Sequence, residues 1–380
     1  MGYLYDAARD IKNSIPIARD LYAYLRRGLA KCSRDTGYEE KLAAETEIYE
    51  DVADVHELPP IFHYWSNKHL RPMLEELGFS NPDEFFAKYL GESARRRGTA
   101  APIFLSLGAG NCDTEIRVAR LLRKAGIERF TVECVDLNQR MLERGLAMAQ
   151  REGVAEHIVP VEGDFNQWRA AKQYDAVMAN QSLHHVLNLE GLFDEVKRSL
   201  ATGGCFVVSD IIGRNGHQRW PEALAAVQRF WRELPHDYRY NRQLGRYEHA
   251  YRNWDCSGEG FEGIRAQDIL PLLLQRFEFH LFVGFANVID LFVDRSFGPN
   301  FDADAEWDRG FIDRVHAFDE AAFRKGELTP THMMAVLTPE ACEKAVYARG
   351  LGPEESVRRR IVSRLVRSAI VRVKEAIGRA

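Results

Sequence analysis

From Ala101 onward the chain changes its period. Short apolar runs (IFLSL, FTVECVD, IVPVEGD, YDAVMAN, CFVVSD) alternate with amphipathic stretches at 113–126, in LNQRMLERGLAMAQREG and in LEGLFDEVKRSL. A strand buried on both faces reads as a continuous apolar run, and a helix between two such strands returns the chain so that they lie parallel. The alternation therefore predicts an α/β fold: a parallel sheet with helices on both faces. AQDILPLLLQRF, FEFHLFVGF and THMMAVL continue the pattern after two long interruptions, at roughly 213–264 and 286–329. Insertions of that length at one edge of an α/β sheet predict lids over a ligand crevice.

Three regions follow. Residues 1–97 read as a helical N-terminal region, with Ile11, Ile15, Leu21, Leu25 and Leu29 near helical spacing. Another helix is expected through RPMLEELGF, and Asn81-Pro82 opens one more. GESARRRGTAAP reads as a linker. The α/β domain spans 98–340. Residues 341–380 carry a basic amphipathic helix, with Ile361, Val362, Leu365, Val366, Ala369, Ile370 and Val373 on one face. Residues 351–380 hold eight Lys/Arg and three Asp/Glu, in a chain of net charge −5. That helix suits either docking and dimerisation or contact with an anionic membrane surface.

Composition excludes several classes. The acidic balance gives no footprint for nucleic acid. Asp6, Asp10 and Lys12 interrupt any signal-peptide core, and no apolar stretch is long enough to span a bilayer. Cys32, Cys112, Cys134, Cys205, Cys256 and Cys342 are scattered, without a C-x-x-C pair. They read as reduced thiols of a cytoplasmic protein, at most peripheral to the inner membrane face, rather than as disulfides or a zinc site.

The turn SLGAGNCDTE lies between the first strand and its helix. Gly108 and Gly110, flanked by Leu107 and Ala109, let the backbone approach a ligand closely. The dinucleotide fingerprint is incomplete, since its third glycine position is Asp113. Asp136, followed by Leu137, ends the second strand, where a carboxylate can accept two ribose hydroxyls. Asp164 follows Gly163 and precedes Phe165 at the end of the third. A carboxylate there can accept an adenine amino group while Phe165 and Met141 pack on the ring. Asn180 ends the fourth strand.

This combination resembles the class I S-adenosylmethionine (SAM)-dependent methyltransferases over residues 101–212, and especially small-molecule and sugar O-methyltransferases with an S-L-H-H motif. LSLGAGNCD, VDLNQRML, EGDF, YDAVMANQSLHHV and LATGGCFVVSD match successive motifs. The resemblance implies SAM as cofactor and a Rossmann-like seven-stranded sheet with THMMAVL as its antiparallel last strand. One departure is Ser106, where the family often places an acid that orders the SAM amino group.

A hydroxyl acceptor must lose a proton as it attacks the methyl group, which suits a base of near-neutral pKa at the sheet's C-terminal edge. His184 and His185 follow the fourth strand, Asp210 ends the fifth, and His217 opens the first insertion. By motif position the resemblance implies His184 with Asp210, His185 and His217 being rivals. Between Gly213 and Arg252 eight Arg interleave with aromatic residues, a composition suited to an anionic or glycosidic acceptor. Methylation of a small amine or of RNA are the alternative readings. Against RNA, no Pro-Pro-Tyr motif follows the fourth strand. No ligand-spaced carboxylate pair marks a metal site.

Overall fold

The computed structural model describes Gly37, Tyr38, Lys41 and residues 58–358, apart from 259, 342 and 343. The first N-terminal helix and the apolar face of the C-terminal basic helix lie outside the described residues. A broken helix opens the continuous part: α1 (Pro60–Trp65), a π-helical turn (Ser66–Leu70) and α2 (Arg71–Glu76). Helix α3 (Pro82–Arg97) starts as expected, with the Asn81 side chain accepting the Glu84 amide and Pro82 in the first turn.

The expected linker is instead the last turns of α3. Its small residues Gly91, Ser93 and Ala94 are buried, Gly91 against Leu122 and Ile127. Ser93 Oγ donates to the Asp175 carbonyl at 2.6 Å, Arg97 pairs with Asp175 at 2.6 Å, and Gly98 caps the helix in the left-handed region (φ 64°). Composition suggested a linker, but small residues here permit close packing of the helix on its neighbours.

The sheet is built from β1 (Ile103–Leu107), β2 (Thr131–Asp136), β3 (Ile158–Glu162), β4 (Tyr174–Asn180), β5 (Leu200–Ile211), β6 (Glu278–Phe285), β7 (His332–Thr338) and β8 (Val346–Tyr347). Its order is β8-β6-β7-β5-β4-β1-β2-β3. β7 is antiparallel to both β5 and β6, and the remaining pairs are parallel. This is the predicted α/β sheet with THMMAVL as its antiparallel strand. It gains one short edge strand, β8, which the sequence reading lacked. Helices α4 (Asp113–Lys124), α5 (Gln139–Arg151), α6 (Leu189–Ser199) and α8 (Ala266–Leu274) flank it, and α7 (Pro221–Glu233) and α9 (Glu306–Lys325) lie in the insertions.

Alternate residues of each strand feed two cores. Phe104, Val132, Met178 and Val207 face α3, α4 and α5, while Leu105, Val177, Phe206 and Val208 face α6 and α8. A third core joins α1 to both insertions through Trp65, Phe230, Trp231, Phe292, Phe297, Phe311 and Val315. The insertions leave the ends of β5 and β6, which point the same way, so this third core forms one lid at the sheet's C-terminal edge. Among the described residues no helix is long and apolar enough to cross a membrane. The described cysteines, Cys112, Cys134, Cys205 and Cys256, are free thiols.

Candidate active site

The strand ends collect the predicted cofactor residues. β1 ends at Leu107, and the amides of Gly108 and Ala109 donate to the Val135 carbonyl at 2.9 and 3.2 Å. Gly108 has φ 71°, and a Cβ there would lie 2.4 Å from the Ser182 Cβ. Only glycine allows this turn to pass beneath the β4 loop. Gly110 (φ 52°) donates its amide to Asp136 Oδ2 at 2.8 Å, and Asp136 Oδ1 accepts the Asn138 amide at 2.9 Å. The glycine turn and the acid of β2 are thus one unit. Leu137 continues from that acid.

Met141 is buried, and its Cε would lie 3.3 Å from a Cβ at Gly110. Gly163 donates to the Asp136 carbonyl at 3.0 Å, which sets Asp164 beside Asp136. Asp164 accepts the Asn166 amide at 2.8 Å and the hydroxyl of Tyr38, which packs on Phe261. Phe165 lies against the Gly108 turn. Asn180 Nδ2 donates to Thr114 Oγ1 at 3.1 Å. The structure therefore gathers all the predicted cofactor residues around one rim, and Tyr38 joins them, a contact from a region where the sequence showed only helical spacing.

Ser106 departs from the family pattern but is not isolated. Its hydroxyl donates to Glu115 Oε1 at 2.6 Å, from the first turn of α4. Glu115 is buried, its Oε2 has no hydrogen-bond partner, and burial pushes its carboxyl up to about 7. An acid is present at this point after all, supplied by the helix rather than the strand.

On the acceptor side, Asp210 is fully buried and accepts from the amides of Ser182 and Leu183 at 2.9 and 2.7 Å. Its other oxygen lies 2.7 Å from His184 Nδ1. This fixes the ring and turns Nε2 toward the crevice. There His184 Nε2 lies 3.5 Å from Glu262 Oε1, His217 Nε2 lies 2.5 Å from the same oxygen, and His185 Nε2 lies 3.5 Å from Glu262 Oε2. All four predicted catalytic residues meet in one cluster.

Glu262 was missed. It lies 45 residues from His217 in sequence, inside an insertion whose composition pointed to Arg and aromatics. Its one sequence signal is the flanking Gly260 and Gly263, both at positive φ. Burial alone would lower His184, but Asp210 and Glu262 outweigh it and raise the ring to about 10. Burial alone would likewise raise Glu262, but His185, His184 and His217 hold it well below the usual carboxylate range. His184 therefore sits between two carboxylates that raise its proton affinity above the near-neutral value expected from sequence.

Several arginines of the first insertion serve its own architecture. Arg219 donates to the Asn287 carbonyl at 3.1 Å and to Asp290 at 2.8 Å. Arg229 lies over Phe230 and Phe318, Arg239 caps the Leu234 carbonyl, and Arg242 binds Asn300. Phe230 and Trp231 sit in the lid core. An anionic acceptor, expected from this composition, draws no support from these side chains, because composition does not tell whether a cation faces a ligand or a neighbour.

Residues 105–208 match the family described as "Methyltransferase domain". Among curated relatives, a sterol 24-C-methyltransferase of Aspergillus fumigatus is 38% identical over 72 residues, which is 19% of each chain. A sarcosine/dimethylglycine N-methyltransferase of Aphanothece halophytica is 32% identical over 107 residues, covering 28% of this chain and 36% of that one. The chain thus spans well under half the length of the curated relatives it matches. Among solved structures, the geranyl diphosphate C-methyltransferase of Streptomyces coelicolor is similar at 13% identity and TM-score 0.44, covering 81% of this chain and all of that one. An O-methyltransferase from a Brevibacillus brevis multienzyme is similar at 12% identity and TM-score 0.41, covering 75% and 84%. Residues 105–208 form a methyltransferase domain of the class I, SAM-using kind, as the motifs implied.

Proposed function

We propose that the whole chain is a SAM-dependent methyltransferase that methylates a hydroxyl of a small-molecule or glycan acceptor. The rim residues fit the cofactor: the Gly108–Gly110 turn is a cradle that a Cβ would fill, and two carboxylates stand at adjacent strand ends. Asp136 would accept the ribose hydroxyls and Asp164 the adenine amino group, with Met141 and Phe165 against the ring. Leu107, Ala109, Leu137, Gly163 and Asn180 complete the rim. Bound SAM supplies a methyl group already activated on a sulfonium.

The observation that carries the hydroxyl reading is the locked His184–Asp210 pair facing Glu262 and His217 beneath the lid. In an in-line displacement the acceptor oxygen forms its bond to the methyl carbon as the carbon–sulfur bond breaks. The hydroxyl proton goes to the imidazole–carboxylate cluster. A hydroxyl entering between His184 and Glu262 removes one carboxylate from that ring and brings its proton affinity down toward the range of a base. The lid excludes water from the transfer. The names of the curated relatives, which act on a sterol carbon and on amines, leave the acceptor atom to experiment.

A cytoplasmic site of action, and peripheral membrane contact or dimerisation through the C-terminal helix, belong to this proposal. Nucleic acid does not, since the net charge is acidic and Arg219, Arg229 and Arg242 of the lid are engaged within the protein. The test is incubation with methyl-labelled SAM and sets of alcohols, sugars, amines and RNA, with the new methyl group identified by NMR. An O-methyl product supports the reading, and an N-methyl or RNA product overturns it.

A further inference from the structure

The His184–His217–Glu262 cluster comes from three segments far apart in sequence, and the backbone stitches them together. The Gly216 amide donates to the Gly263 carbonyl at 2.8 Å, and the Ile264 amide donates to the His184 carbonyl at 3.0 Å. His217 is held at φ 53°, a left-handed conformation that costs a non-glycine residue energy and persists only where the surroundings impose it. Gly263 (φ 63°) allows the approach, since a Cβ there would lie 3.1 Å from the Gly216 nitrogen and 3.2 Å from the His217 Cε1.

The donor atoms are suited to a metal ion. One atom each of His184, His217 and Glu262 lies within 4.8 Å of the others. Tetrahedral ligands at about 2.0–2.1 Å from zinc stand roughly 3.3 Å apart. The His184–Glu262 separation of 3.5 Å is already close to that, and the His217–Glu262 separation of 2.5 Å would have to widen to admit the ion. Asp210 on His184 Nδ1 is the outer-shell carboxylate that fixes a ligating tautomer and leaves the Nε2 lone pair free. Three imidazoles also crowd here, with ring centroids of His184 4.3 Å from His185 and 5.3 Å from His217.

We propose that His184, His217 and Glu262 bind a first-row divalent ion of the zinc type at the acceptor side of the crevice. Two imidazoles and one carboxylate favour zinc or ferrous iron over magnesium or calcium. Three protein ligands leave a position open toward the crevice, as in catalytic rather than structural sites. The inference rests on the reading of this crevice as the acceptor site. A bound ion there would acidify an acceptor hydroxyl, with Nε2 of His184 serving as a ligand and His185 left beside the site.

The test uses the full chain, stripped with a chelator and titrated with cobalt(II), whose visible absorption reports low-coordinate nitrogen and oxygen ligands. One cobalt per chain is expected, displaced by zinc. His217→Ala and Glu262→Gln should each weaken cobalt binding by more than about 10²-fold. Asp210→Asn should weaken it by about 10–100-fold, the range for losing an outer-shell partner, and His185→Asn should leave it unchanged. S-adenosylhomocysteine calorimetry on the same samples shows that each variant is folded. Absent cobalt uptake, or uptake unchanged in both His217→Ala and Glu262→Gln, overturns the metal site while intact S-adenosylhomocysteine binding keeps the methyltransferase reading. Loss of S-adenosylhomocysteine binding by the unmodified protein overturns that reading instead.

Discussion

Gly216 and Gly263 meet backbone to backbone, the amide of one donating to the carbonyl of the other at 2.8 Å, and this contact delivers His217 and Glu262 to the same point above His184. The neighbour of each glycine is a functional side chain, so the spacing of the two loops sets the geometry of the cluster.

Gly263→Ala should therefore act on chemistry more than on the cofactor. The added methyl meets Gly216 and the His217 ring and requires alanine at φ 63°. Turnover is expected to fall at least about tenfold, the loss associated with an ångström-scale misplacement, while S-adenosylhomocysteine affinity is retained. Equal losses in both would show that the glycine contact serves general stability instead.

Asp136→Ala should weaken S-adenosylhomocysteine binding more than Asp164→Ala. It removes the ribose contacts and also releases the Gly110 and Asn138 amides that now shape the glycine turn. Charge-assisted hydrogen bonds contribute roughly 1.5–3 kcal/mol each, so calorimetry should read at least about a tenfold rise in Kd. An unchanged Kd in Asp136→Ala would place the ribose elsewhere.

The placement of the proposed cofactor rim was legible because its acids stand at the end of an apolar strand (Asp136) or two residues past one (Asp164) in a regular alternation, and the sheet then fixes where such ends lie. His184, His185, Asp210 and His217 were legible for the same reason: they follow β4 or end β5. Glu262 was not, because its position depends on how an irregular insertion folds back, and nothing in FEG announces a partner. The lid arginines show the opposite case, a visible composition whose partners, such as Asp290 for Arg219, lie in the other insertion and cannot be read from composition. Glu115 shows a third kind: Ser106 marked the missing acid, but only the turn from β1 into α4 brings Glu115 against it.

His184→Ala should lower turnover by roughly 10²–10⁴-fold, the contribution of a positioned proton acceptor and no less if the ring holds an ion that acidifies the hydroxyl, with SAM affinity little changed. Steady-state and binding measurements on one preparation separate the two. If His184→Ala is mild and His185→Ala or His217→Ala is severe, the proton leaves by a different ring.

Arg219→Met should loosen the lid. Its guanidinium is buried and bridges the Asn287 carbonyl to Asp290, joining the two insertions. Removing one member of a buried ion pair costs about 3–5 kcal/mol, and His332, 3.7 Å from Asp290, offsets part of that here. Hydrogen exchange should quicken in 213–264 and 286–301 while β1 to β4 stay protected. Uniform quickening across the sheet would mean that the lid and sheet unfold as one unit.

Glu115 makes stability depend on pH in a predictable direction. Its carboxyl rises from an ordinary 4.5 to about 7 in the folded protein, because burial disfavours the anion more than the Ser106 hydrogen bond favours it. The folded state therefore binds a proton more tightly than the unfolded chain. The contribution is fully present below about pH 4.5, declines as pH rises toward 7 and is gone above it, by at most about 1.4 kcal/mol per pH unit. Asp319, pushed up to about 7 by burial against three backbone hydrogen bonds, acts in the same window. The difference between the wild type and Glu115→Gln isolates Glu115, since Gln retains an acceptor for Ser106 Oγ and cannot ionise. Denaturant melts between pH 4.5 and 8 should show the wild type losing stability relative to Glu115→Gln as pH rises. Parallel curves across that range would show that Glu115 stays ionised in the fold, held by a partner for its Oε2.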